Sequence, residues 1–551
     1  MATDAWVAAR STERLWNHEA ALFTGHDESR WLGWLDAPER EMARLDLYAE
    51  LPRRASREGI TDVVLLGMGG SSLAAEVFRL AWGERPGAQR LHVLDSTHPE
   101  QVRRTLDAVD PRRTWVLVAS KSGSTLEPNL LLAIFLERFG GLLGEAAPGH
   151  FLAITDPGSA LDRRAREGGF LALVPGEPSI GGRFSALSPF GLTPAAFLGV
   201  DLSRFLGHAA AMAGRCRAAE ALDNPGVELG LALAAAAGRG RDKLTLILAP
   251  PIAALGVWLE QLIAESTGKQ GRMILPVEGE APLAPTTYGG DRLFVGVRLA
   301  GELAGGDEDR IDALVAAGQP VLELDCAAVE ELGAEMFRWE IATAVAGARL
   351  GIHPFDQPDV EAAKVAARRR TVAIEEQGSL PEESPFVSGT ALELYADADQ
   401  QRALPGGAGP DAIADCLRAH FDRAGAGDYL ALQAFLDMNE ENAAALEALR
   451  TFAGRSGVAT TVGFGPRFLH STGQAHKGGP ASGVFLQITE QPLEDLAVPG
   501  QSLTFGQVVA AQAGGDLEVL ATRGRRHLRL HFPGGAAAGW QALRAHLAFG
   551  G

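Results

Sequence analysis

Thr114-Trp-Val-Leu-Val-Ala-Ser-Lys-Ser-Gly-Ser-Thr125 decides how the rest of the chain is read. The apolar run Trp115 to Ala119 predicts a buried parallel strand, and Leu126 to Arg138 predicts a helix. Between them lie four hydroxyl residues and a lysine around one glycine. A polar loop joining a strand to a helix N-terminus is an anion cradle, because loop N–H groups, hydroxyls and the positive helix pole converge on one spot. A phosphate, with its three acceptor oxygens, suits that hydroxyl density better than a plain turn does.

The strand–helix alternation extends outward from this point. Strands are expected at Val63–Gly67, Leu91–Leu94, Phe151–Thr155 and Phe170–Val174, with helices from Ser72 and after Pro99. That pitch predicts a doubly wound parallel sheet whose ligands sit beyond the strand carboxyl ends. Gly67–Ser72, Ser120–Thr125 and Thr155–Ser159 all fall there. A second alternation follows a helical stretch near 194–238, with strands at Leu244–Ala249, Arg292–Leu299 and Val321–Leu324. The fold class is therefore α/β: two tandem doubly wound parallel-sheet lobes plus a C-terminal α/β region. The expected divisions are 1–60 (helical, with Trp6, Trp16, Trp31 and Trp34 as anchors), 61–195, 196–378 and 379–551. Within the last, 380–425 is expected to be connecting or peripheral, and Leu517–Ala521 strand-like.

The 551 residues hold roughly three to four domains' worth of core. A formal charge of −19 argues against nucleic acid, which needs a basic footprint, but allows a phosphorylated small molecule. Cys216, Cys326 and Cys416 are widely spaced, supporting neither a disulfide framework nor a zinc site, so a reducing, cytoplasmic setting is expected. No run reaches membrane-spanning length and the N-terminus lacks a signal-peptide core.

Other motifs carry chemistry. Gly67-Met-Gly-Gly-Ser-Ser72 departs from a dinucleotide turn at Ser72, although Asp95 ends the next strand, so nicotinamide is not excluded by this loop alone. Thr267-Gly-Lys269 fails as a Walker loop because Ile263 and Gln270 replace the required residues. Glu265 ends an apolar helix, where a solvated carboxylate is the ordinary reading; beside a phosphate cradle it suits proton transfer next to a carbonyl. Gly181-Gly-Arg183 is a plausible oxyanion clamp. His470-Ser-Thr-Gly-Gln-Ala-His476 is read as a flexible loop whose six-residue histidine spacing suits acid/base or hydrogen-bonding roles rather than metal. Gln357 and Lys364 fall at the start of a helix and about two turns along it.

Taken together, these motifs resemble the glucose-6-phosphate isomerase family, whose lobes are sugar-isomerase (SIS) folds. Gly67–Ser71 and Ser120–Thr125 resemble its phosphate loops, and Gly182–Ser185 its G-R-[YF]-S segment. Gln261–Lys269 resembles Q-x-x-x-E-S-N-G-K with Thr267 for Asn. Phe355–Lys364 resembles F-D-Q-W-G-V-E-x-G-K with Pro358 for Trp. The histidine segment, one residue short, follows the F-D-Q segment instead of preceding it, similar to the isomerase half of bacterial transaldolase fusions.

The resemblance implies interconversion of D-glucose 6-phosphate and D-fructose 6-phosphate without metal or redox cofactor. Ser71, Ser120, Lys121, Ser122 and Thr125 would hold the phosphate with help from Gln357, and Gly70 and Gln261 would line the substrate. His470 with Lys364 would open the ring, Glu265 would shuttle the proton between C1 and C2, and Arg183 would stabilise the enediolate. The family is commonly a homodimer with a histidine crossing between subunits, which leaves the subunit served by His470 open. Activity on mannose 6-phosphate and a non-catalytic phosphosugar sensor are the alternatives. A glutamine-dependent aminotransferase is disfavoured because Met1-Ala2-Thr3 carries no cysteine.

Overall fold

The hydrophobic run at 114–119 forms a strand buried at every position. Burial on both faces explains its continuous rather than alternating apolarity. It belongs to a computed structural model that describes residues 2–378, 383–547 and 549. The first sheet contains β1 (Asp62–Leu66), β2 (Arg90–Leu94), β3 (Thr114–Ala119), β4 (Phe151–Thr155) and β5 (Ala172–Pro175). All pairs are parallel, in the order β2-β1-β3-β4-β5. Leu66 lies opposite both Leu94 and Val118, so the carboxyl ends are level. Winding reverses between β1 and β3, which opens a crevice where the 67–72 and 120–125 loops both begin.

The second sheet has β6 (Lys243–Leu248), β7 (Leu275–Val277), β8 (Arg292–Leu299) and β9 (Val321–Cys326), parallel in the order β7-β6-β8-β9. The three-residue β7 is absent from the sequence reading because it is too short to carry a periodicity. The N-terminal helices pack over this core: Trp6 and Trp34 are buried, Trp16 and Trp31 half-buried, and Trp34 stacks on Phe184 at 5.1 Å.

A third sheet is built from β10 (Val387–Ser388), β11 (Glu393–Tyr395), β12 (Tyr429–Phe435), β13 (Ala459–Phe464), β14 (Gly483–Glu490) and β15 (Arg526–Phe532). Its order is β10-β11-β15-β14-β12-β13, with the last four parallel and the β10–β11 and β11–β15 pairs antiparallel. Two expectations are corrected. Residues 380–425 are not merely a connection: they supply β10, β11 and two helices, Ala398–Ala403 and Pro410–Phe421. Leu517–Ala521 is the end of the helix Phe505–Thr522, not a strand. That helix starts at a capping box in which Thr504 and Gln507 satisfy each other's backbone donors. A five-residue stretch with one charge, Glu518, among apolar residues has no clear period of its own, and the distant cap decides its state.

The cysteines are free and buried. Among the described residues no helix is long and apolar enough to cross a membrane.

Candidate active site

The two phosphate loops are shaped by their own polar groups. Ser120 Oγ accepts the Gly123 N–H at 3.2 Å, and the Ser122 and Ser124 hydroxyls are 2.8 Å apart. Asn129 Nδ2 donates to the carbonyls of Gly123 (3.0 Å) and Thr125 (2.8 Å), holding the loop onto its helix, Leu126–Leu143. Thr125 is the N-cap but its side chain makes no capping bond, leaving first-turn N–H groups open to an anion. Gly123 has φ +69°, and a Cβ there would sit 2.2 Å from Leu161 N, so this turn requires glycine.

Lys121 departs from its expected role. Its ammonium is bonded to Asp156 Oδ2 (2.5 Å) and to the carbonyls of Glu177 and Pro178, so the side chain braces the neighbouring loop. Only its backbone N–H is left for a phosphate. Asp95, the residue a nicotinamide reading would use, is buried and engaged by Ser72 Oγ (3.0 Å) and Arg467 Nη2 (2.8 Å).

The 67–71 turn abuts segments of the other two sheets: a Cβ on Gly69 would lie 2.9 Å from His470 Cβ and 3.0 Å from Gln261 Nε2. A Cβ on Gly70 would lie 2.0 Å from Gly182 O, so two glycines let the Arg183 turn press against this loop. Arg183 is 3% exposed and fully engaged. Its Nε donates to Ser266 Oγ (2.7 Å), Nη1 to Gln357 Oε1 (3.0 Å), and Nη2 to the carbonyls of Pro354 (2.7 Å) and Asp356 (2.9 Å). Nη1 also lies 3.2 Å from Glu265 Oε1. Burial pulls the guanidinium below its ordinary pKa, with Glu265 and Asp356 opposing. An arginine stays charged under these conditions.

Gln261 and Glu265 share one face of the helix Leu255–Thr267, four residues apart. Gln261 Nε2 donates to Glu265 Oε2 (3.2 Å) and to His470 O (2.8 Å). Lys269 is buried on the carbonyls of His353 and Asp356 and on Asp356 Oδ1.

His470 is not in a flexible loop. It ends the 3₁₀ turn Arg467–His470, and the helix Gly473–Gly478 that follows is buried throughout. Gly268 packs so closely on this helix that a Cβ there would meet Ala475 Cα at 2.3 Å. Glycine-rich sequence here means dense packing rather than mobility. Gln474 is the clamp. Its Oε1 accepts the N–H of Asp359 and Val360, and its Nε2 donates to Gly268 O and Asp359 Oδ2. His476 is buried, paired with Gln433, and held well below its ordinary pKa by burial and then by Lys477 and Arg525. It is a neutral packing histidine.

His470 Nε2 lies 3.1 Å from Glu127 Oε1, and Gln512 Nε2 donates to the same oxygen at 2.7 Å. Thr97 Oγ1 in turn donates to Gln512 Oε1 at 3.0 Å. Burial raises the Glu127 pKa, but the attraction and hydrogen bond of His470 win and hold it below its ordinary value. Sequence reasoning missed Glu127, Gln512 and Arg467. Glu127 passes for a routine acid in a first helical turn, and no local signal marks the other two. Lys364 is half-exposed and paired with Glu361 at 2.7 Å. It sits at the rim, near enough to add to the lowering of Glu127.

The arrangement can therefore grip an anion, present a carboxylate beside a fixed cation, and relay protons through an imidazole–carboxylate pair. Comparison with known proteins agrees. The phosphoglucose isomerase family model matches residues 53–280, which include both phosphate loops, Arg183, Gln261 and Glu265. The glucose-6-phosphate isomerase of Rubrobacter xylanophilus is 31% identical over 383 residues, 60% of this chain and 87% of that protein. That of Thermus thermophilus is 33% identical over 392 residues, 62% and 90% respectively. Among solved structures, a hypothetical protein from Thermus thermophilus aligns with TM-score 0.58 at 29% identity, over 67% of this chain and 96% of that one. A Chlamydia trachomatis glucose-6-phosphate isomerase shares the fold with TM-score 0.53 at 22% identity, over 67% and 78%.

Proposed function

This chain belongs to the glucose-6-phosphate isomerase family, and we propose that the seam joining its three sheets interconverts D-glucose 6-phosphate and D-fructose 6-phosphate. One observation carries the reading: Glu265 and Arg183 lie 3.2 Å apart beside the phosphate-loop turn that Gly70 shares with Gly182.

The phosphate is held by Ser71, Ser120, Ser122 and Thr125, by the open amides that follow Thr125, and by the backbone of Lys121. Gln357, already accepting from Arg183, turns its amide donor to the substrate. Ring opening moves a proton from O1 to O5. His470 is the group for that transfer, with Glu127 keeping its ring oriented and compensating the imidazolium. Lys364 adds positive field at the rim. Glu265 then takes the proton from C2 of the open aldose and returns it to C1.

As the carboxylate is neutralised, the negative charge passes to the enediolate oxygens. Arg183 faces both positions, so the positive charge that steadied the carboxylate steadies the intermediate without rearrangement. A sensor of phosphosugars would need the cradle alone, and gains nothing from Glu265, Arg183 and the His470–Glu127 pair.

His470 contacts Glu127 and Gln261 of its own chain, which supports a site complete within one protomer. Homodimerisation is then unnecessary for catalysis. The division of labour follows 61–195 for phosphate, 196–378 for the carboxylate and 379–551 for the imidazole, with 1–60 packing on the core. A cytoplasmic setting matches the three free, buried cysteines. A coupled assay on glucose 6-phosphate, run beside mannose 6-phosphate, tests the assignment. Turnover of the former is expected, and its complete absence in folded protein refutes the reading.

A further inference from the structure

A separate cavity of about 550 Å³ opens where the second sheet's segments meet the third unit, and its walls include none of Glu265, Arg183 or His470. Lys269, Lys477, Arg523 and Arg525 give its walls four cations, against the two carboxylates of Asp356 and Asp359. We propose that this cavity is a second anion site, shaped for a phosphate-bearing small molecule and distinct from the sugar cradle.

Charge pairing around it is incomplete in one place. Lys269 has Asp356 (2.7 Å), Arg523 has Asp359 (2.5 Å), and Lys477 has the buried Asp516. Arg525 makes no ion pair among the described residues: Asp359, the carboxylate that attracts it, is in contact with Arg523 instead. It is 7% exposed, and its Nη2 donates to the carbonyls of Lys477 and Gly479, each at 2.7 Å. Its Nε is buried without a partner. Carbonyls satisfy donors but do not cancel a charge, and a buried guanidinium with no counter-ion in contact is costly. An anion bound in the cavity removes that cost. The volume falls inside the roughly 300–1,000 Å³ of ordinary small-molecule sites. Gly271, Gly478 and Gly479 line it, so backbone as well as side chains faces the space.

The cavity shares a wall with the sugar site. Asp356 Oδ1 takes the Lys269 ammonium, while its carbonyl accepts from Arg183 Nη2 at 2.9 Å. An anion that draws Lys269 or Arg523 away from its carboxylate loosens the 356–359 segment, and with it Gln357, the partner of Arg183. Occupancy is thereby coupled to turnover.

Inorganic phosphate is the probe, titrated calorimetrically into the intact chain, into Gln270→Asp and into Arg525→Gln. Gln270 has φ +53°, a conformation aspartate tolerates, so the first substitution adds a negative charge to the rim without removing a structural bond. Two equivalents are expected for the unaltered protein, one displaced by fructose 6-phosphate and one not. Each variant should lose at least tenfold in affinity for the second while keeping the first. A single equivalent in the unaltered protein, or a second one unchanged in Gln270→Asp, overturns the proposal. Arg525→Gln is read only if it keeps its helical circular dichroism, and Gln270→Asp decides the matter if it does not.

Discussion

Arg183 Nη1 divides itself between two acceptors, Glu265 Oε1 at 3.2 Å and Gln357 Oε1 at 3.0 Å. The remaining guanidinium nitrogens are fixed by Ser266 Oγ and two carbonyls, so this charge cannot swing away during a reaction. Lysine carries the same charge but cannot reproduce a planar five-donor fork. Arg183→Lys is expected to lower kcat by about a hundredfold, the order found when one preorganised donor to an oxyanion is lost. Steady-state kinetics on folded variant check this, and a kcat within twofold of the parent contradicts it.

Ser122 lies in the cradle with its hydroxyl free of backbone duty except for the Ser124 N–H. Its removal should cost the phosphate one charge-assisted bond, about 1.5 kcal/mol, and raise KM roughly tenfold with kcat nearly constant. An unchanged KM with lowered kcat would place Ser122 outside phosphate anchoring.

Glu127→Gln keeps an acceptor oxygen but removes the negative charge that faces His470. Turnover is expected to fall at least tenfold while phosphate affinity stays. Stability carries a second signature. The folded-state pKa of Glu127 is depressed below 4.5, so its ionised carboxylate stabilises the fold above that value. The contribution disappears as pH falls through the depressed pKa. Melting temperatures of parent and variant should differ most near neutrality and converge in acid, and a gap that widens in acid would contradict the assigned sign.

The proposal that one chain supplies the whole site predicts no rescue between chains. Mixing Glu265→Gln with His470→Ala protein, after joint unfolding and refolding, should restore no activity. Recovery toward a quarter or more of parental activity would mean that the histidine serves a neighbouring subunit.

The cradle, Arg183 and Glu265 were legible because each belongs to a contiguous strand–loop–helix segment whose chemistry is written locally. Glu127, Gln512 and Arg467 were not. The Glu127–His470 and Glu127–Gln512 contacts join residues 343 and 385 positions apart, and no spacing rule reaches that far. The sequence also leaves Lys121 ambiguous, since Asp156, which captures its ammonium, lies on the next strand's loop. The His470 segment misled for a different reason: its glycines permit close helix contact, whereas in isolation they suggest mobility. Leu517–Ala521 shows the same dependence on distance, its helical state being set by a cap at Thr504.

The central claim is that Glu265 moves the proton between C2 and C1. Glucose 6-phosphate deuterated at C2 follows that step directly, by NMR of the label as it passes to C1 or to solvent. The parent protein should displace the C2 label, and Glu265→Gln should bind the sugar normally while losing at least a thousandfold in that rate. Loss of the label at a parental rate in the glutamine variant would contradict the account.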